Sequence, residues 1–136
     1  MDAVVQQEPT GCGIAACAAL AQIDYGQARQ VANALGIFAE DRALWSDTHY
    51  VRRLLGELGI VAAPEQHPFD GWEALPDRAL LAIKWRLVAG RPFWHWVVFV
   101  RDAVGCFVLD SKKALKHNRR QDFGRMKPKW YIAVPR

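Results

Sequence analysis

Residues 93–110, Phe93-Trp94-His95-Trp96-Val97-Val98-Phe99-Val100-Arg101-Asp102-Ala103-Val104-Gly105-Cys106-Phe107-Val108-Leu109-Asp110, decide how this chain folds. Segments 94–101 and 105–110 are short and rich in the β-branched and aromatic residues that fit a pleated surface. Joined through Asp102 to Val104, they read as an antiparallel hairpin. Alternation along the first strand sends His95, Val97 and Phe99 to one face and Trp94, Trp96, Val98 and Val100 to the other. Both faces carry large apolar groups, so this strand belongs in the middle of a sheet. A titratable ring in such surroundings is costly unless it has a partner. Asp110, at the end of the next strand, is the candidate to hold the His95 ring in one tautomer.

Outward from this hairpin, segments 60–63, 79–85 and 130–134 have the same strand-like composition. The pattern before them is helical. Residues 12–23 (CGIAACAALAQI) are small, apolar and alanine-rich, which favours a helix buried on nearly every side. A second helix is expected over 27–35, ending at Gly36. A third is capped by Ser46 or Asp47, carries Val51, Leu54, Leu55 and Leu58 at helical spacing, and stops at Gly59. Helices first and strands afterwards predict an α+β fold, with N-terminal helices packed on an antiparallel sheet. With 136 residues and no repeat or Pro/Ser-rich linker, residues 1–136 form a single domain.

No apolar run approaches the roughly 18 residues that span a bilayer, so no membrane partner is expected. Met1-Asp2-Ala3 lacks the basic start and apolar stretch of a secretory signal. Three cysteines, an odd number, leave at least one thiol unpaired, and none shows zinc-ligand spacing. These features together predict a cytoplasmic protein with free thiols and no bound metal. Of the whole-chain charge of +4, residues 111–129 hold eight cations against the single acid Asp122, a local balance of +7 that leaves −3 elsewhere. That stretch reads as a solvated basic loop or as a field that steers an acidic partner. Nucleic acid is the weaker alternative, because no recognised binding motif accompanies the charge.

Cys12 has the features of a nucleophile. A thiol attacks as thiolate, and a helix N-terminus or a neighbouring histidine favours that form. Cys12 falls where the first helix begins, and His95 is the best placed of the four histidines to meet it. Gly11 and Gly13 flank it with backbone that lets a substrate carbonyl come close. Attack on a carbonyl also needs donors for the oxyanion. The Cys12 amide is one, and Gln6 is the candidate side chain, with Gln7 the alternative. Trp96 is a candidate to line the cleft and cover the His95–Asp110 bond, sheet core being the other reading. Cys17 and Cys106 read as core residues.

Gln6, six residues before Cys12-Gly13-Ile14-Ala15-Ala16, together with His95-Trp96-Val97-Val98 and Asp110, resembles the papain-like cysteine peptidases that process bacteriocin and double-glycine leader peptides. The likeness covers nearly the whole chain. It implies a papain-like fold, a cysteine peptidase that needs no cofactor, and a peptide or protein substrate. The implied roles are nucleophile for Cys12, general base for His95, orienting carboxylate for Asp110 and oxyanion donor for Gln6. The chain departs from the family at Ser111, where Pro usually follows the orienting Asp. Other thiol-dependent acyl chemistry, such as deamidation or acyl transfer, uses the same set of residues. A non-catalytic binding module on the same fold is the third reading.

Overall fold

The computed structural model describes residues 1–136. The hairpin read from the sequence lies at the heart of a six-stranded, wholly antiparallel sheet. Its strands are β1 (His67–Pro68), β2 (Arg78–Val88), β3 (Arg91–Arg101), β4 (Cys106–Leu109), β5 (Arg119–Arg120) and β6 (Trp130–Ala133), in the order β1-β6-β2-β3-β4-β5. In β3–β4 pairing Val98 faces Leu109 and Arg101 faces Cys106, and Asp102 closes the turn by accepting from Val104 and Gly105 amides. β2 and β3 both run further than expected. Ala89 (φ 51°) and Gly90 (φ 82°) make a two-residue turn in the left-handed region, the backbone that matches strand twist in a hairpin. Residues 84–91 extend past the rest of the sheet as an exposed arm.

One expected strand does not form. Residues 60–63 are irregular, and Ala63 makes a single bond, to the Ala133 carbonyl at 2.9 Å. Pro64 follows at once and has no N–H with which to continue a ladder.

Three helices cover one face of the sheet: α1 (Cys12–Ala21), α2 (Tyr25–Ala34) and α3 (His49–Glu57). Eight of the ten α1 residues are buried, as its alanine-rich, one-sided-nowhere composition predicts. It packs on β3 and against both other helices. α2 starts earlier than expected because Asp24 and Gln27 form a reciprocal capping box. At α3 it is Asp47 that accepts from the His49 amide, at 2.8 Å. Ser46 instead donates to the Pro92 carbonyl, tying the α3 approach to β3.

The other face is not bare. Leu81, Ile83, Val97, Phe99 and Val108 pack there with Leu75 and Met126. The lid consists of the 3₁₀ turn Trp72–Ala74 and the short helix α4 (Phe123–Met126). Part of the basic 111–129 stretch is therefore a structural layer and not a free loop. No helix is long and apolar enough to cross a membrane.

Candidate active site

Cys12 is the first residue of α1, and no side chain caps that end of the helix. The opening amides of an α-helix have no acceptor within it, and the helix dipole adds partial positive charge there. The sulfur thus sits at the end of α1 that favours an anion. Pairing between β3 and β4 begins at Val98 and Leu109, so on that side the β3 edge at residues 93–96 is open. The two features meet in one cleft, lined by Cys12 and His95 together with Gln6, Trp45, Tyr50 and Trp96 among others.

His95 Nε2 lies 2.7 Å from Asp110 Oδ1, which leaves Nδ1 as the ring nitrogen free for the thiol. Asp110 is fully buried, and every part of its carboxylate is occupied. Oδ1 also accepts from the Lys112 amide at 3.0 Å, and Oδ2 accepts from Arg120 Nη1 at 2.9 Å. Arg120 is itself held by two bonds to Asp122, at 2.9 and 2.7 Å. Burial pushes the Asp110 carboxyl upward, but hydrogen bonds and charge from His95, with the Lys112 amide and Arg120, outweigh it and bring the pKa to about 2. Burial pulls His95 down, while its bond to Asp110 and its interaction with Cys12 lift it to about 9. At neutral pH the pair is imidazolium and carboxylate.

Gln6 lies on the cleft wall and is buried. Its side chain is fixed from both ends. Ser111 Oγ donates to Gln6 Oε1 at 2.7 Å, and Gln6 Nε2 donates to the carbonyls of Glu8 (3.0 Å) and Pro9 (2.9 Å). The Gln6 amide also donates to the Ser111 carbonyl at 3.0 Å. Gln7 points elsewhere, accepting from Arg29 on the exposed side at 2.8 Å. The two neighbouring side chains therefore go to different places, Gln6 into the cleft wall and Gln7 to the exposed side.

Gly11 and Gly13 do not line the cleft. A Cβ on Gly11 would run into the Tyr25 hydroxyl, which bonds Glu8. At Gly13 it would come within 2.6–2.7 Å of Tyr50 ring carbons. Their small size is needed for tyrosine packing around Cys12, a different reason from the substrate approach read in the sequence. We expect Gly13→Ala to lower stability by about 1–3 kcal/mol through overpacking, with Gly13→Ala/Tyr50→Phe recovering part of the loss. Urea denaturation of both variants measures this, and an unchanged Gly13→Ala midpoint would contradict the packing.

Trp96 is almost fully buried in the helix-side core, edge-on to Trp94 and Trp130 with ring centroids 5.7 and 5.2 Å away. It reaches the cleft as part of that core. Cys17 and Cys106 are free thiols away from the cleft; burial drives the Cys17 pKa well up, so it stays protonated. Sequence reasoning missed Arg120, Ser111 and Tyr50. Arg120 was hidden among eight similar cations, and the one available hint was that a buried Asp110 needs more than a histidine. Burial raises the Tyr50 pKa and keeps its hydroxyl protonated. No spacing rule ties a residue on the third helix to the start of the first.

Compared with known proteins, the chain matches no family model and no curated sequence.

Proposed function

We propose that the protein is a papain-like cysteine peptidase. The observation that carries this reading is the meeting, in one cleft, of Cys12 at the start of a buried helix with an imidazole held 2.7 Å from a fully buried carboxylate. A buried ion pair facing a helix-end thiol is poorly suited to stability alone, since such pairs rarely outdo apolar packing.

In the reaction, the Cys12 thiolate attacks the carbonyl carbon of an amide and the S–C bond forms. His95 gives its proton to the leaving nitrogen as the C–N bond breaks. Water then attacks the thioester, His95 takes its proton, and the S–C bond breaks to release the acid and restore the Cys12 thiolate beside the His95 imidazolium. Asp110 keeps the ring oriented throughout. The oxyanion is served by the Cys12 amide and by Gln6, whose Nε2 must share a hydrogen now bonded to the Glu8 or Pro9 carbonyl.

Acid-quenching the protein with a peptide substrate and weighing it should reveal an acyl adduct on Cys12. With Gln6→Ala that adduct should form about a hundredfold more slowly. Iodoacetamide alkylation of Cys12 should change little, because alkylation creates no oxyanion. If no adduct forms and Cys12 alkylates no faster than an ordinary thiol, the peptidase reading fails. A Gln6→Ala protein that acylates at the native rate would remove Gln6 from the oxyanion site.

A further inference from the structure

The cleft wall carries three cations beyond His95: Lys84, Arg86 and Lys112. Some cations of the chain are neutralised, Arg29 by Glu8, Arg101 and Arg136 by Asp77, and Arg120 by Asp110 and Asp122. Others, such as Lys113, Lys116 and Lys127, stand exposed on the open surface. What sets Lys84, Arg86 and Lys112 apart is that they converge on the cleft that holds Cys12. None of the three cleft cations has a carboxylate within 4.0 Å. The one acid nearby, Asp110, already has its oxygens filled.

Two of the cations are also pressed together. Lys84 sits at the β2 bulge between Ile83 and Arg86, with φ at 55°, a backbone that residues with a Cβ take up reluctantly. That bulge brings it to Lys112, and burial, then the neighbouring ammonium, lowers its pKa. Crowding like charges at the mouth of a cleft is unfavourable until an anion enters. The wall is rich in donors generally: the indole N–H groups of Trp45 and Trp94, both buried, have no acceptor.

We infer that the cleft selects substrates carrying a carboxylate on the leaving-amine side of the scissile bond. This rests on the peptidase reading for the position of the bond. The general acid must reach the leaving nitrogen, so the leaving half lies by His95 and Asp110. Lys112 is two residues past Asp110 and donates its amide to it, and Lys84 feels the Asp110 charge. The carboxylate can come from an acidic side chain after the cut or from the substrate's own C-terminus.

Cys12 can report on the anion site directly. Iodoacetate and iodoacetamide deliver the same kind of carbon to the same sulfur and differ by one negative charge. The ratio of their rate constants at Cys12, relative to that ratio for a small free thiol at the same pH, should be about tenfold higher at low salt. It should shrink as salt is raised and fall several-fold in Lys84→Met/Lys112→Met, staying above the small-thiol value because the His95 imidazolium and Arg86 remain in the cleft. A variant ratio equal to the native one overturns the inference. A native ratio equal to the small-thiol value at low salt overturns the inference, whether or not peptides are cleaved. A high ratio in a protein that cleaves nothing defeats the peptidase reading and leaves the anion site standing. For the cleaving enzyme, peptides matched as Glu against Gln just after the cut, and as free against amidated C-terminus, tell the two carboxylate sources apart. Equal cleavage within both pairs overturns the selection proposed.

Discussion

Replacing His95 with glutamine is expected to lower kcat/KM on a cleaved peptide by about 10³- to 10⁴-fold while leaving the fold intact. The amide Nε2–H of glutamine can still donate to Asp110 Oδ1, where His95 Nε2 now lies at 2.7 Å. Arg120 and the Lys112 amide go on holding the carboxylate. What disappears is a group that can give a proton to the leaving nitrogen and take one from water, and positioned general acid–base groups contribute rate factors of about this size. In the native protein the alkaline limb should fall with the His95 proton, near pH 9. Above that pH the ring has no proton to give, and the amine departs unassisted. Steady-state rates from pH 6 to 10.5 on the native and His95→Gln proteins measure both effects. A variant within tenfold of native activity would sink the assignment of His95 to the proton transfers.

The His95–Asp110 contact was easier to read from this sequence than the layering. His95 and Asp110 could be paired because strand alternation and a short turn are local rules, and β3 and β4 obey both. α1 was legible because its composition allows no solvent-facing side. The β2–β3 turn was not, since Ala89-Gly90 lacks the Asn-Gly or Asp-Gly signature and a left-handed alanine is set by tertiary context. Residues 60–63 have strand composition, but composition does not register that the ladder must end at a proline. The second layer, with Phe123 and Met126 under the sheet, lay inside a stretch whose charge masked its two apolar anchors. The fixing of Gln6 by Ser111 spans 105 residues, a contact that no local pattern carries. A residue after Asp110 therefore positions one seven residues before Gly13, and only the fold relates them.

Arg120→Met should cost about 3 kcal/mol of stability at neutral pH, because it leaves the fully buried Asp110 short of a partner. The effect has a direction in pH. The Asp110 pKa is depressed in the folded state, to about 2 from 3.8, so its contribution is present above 3.8 and is lost as pH falls through 2. The His95 pKa is raised, to about 9 from 6.5, so its contribution is complete below 6.5 and is lost as pH rises through 9. Both hold in full between about pH 4 and 6.5. They describe largely one interaction, worth about 2–3 kcal/mol and not twice that. Without Arg120 the Asp110 carboxyl titrates higher, and acid unfolding should begin at higher pH. The alkaline limb should stay near 9, since the carboxylate that lifts His95 is still ionised there. Urea denaturation at pH 7, 3 and 9.5, with acid and alkaline titrations followed by tryptophan fluorescence, tests this separation. A variant that loses less than about 0.5 kcal/mol, with its acid midpoint unmoved, would show that Arg120 does not hold the carboxylate and that His95 and the Lys112 amide suffice.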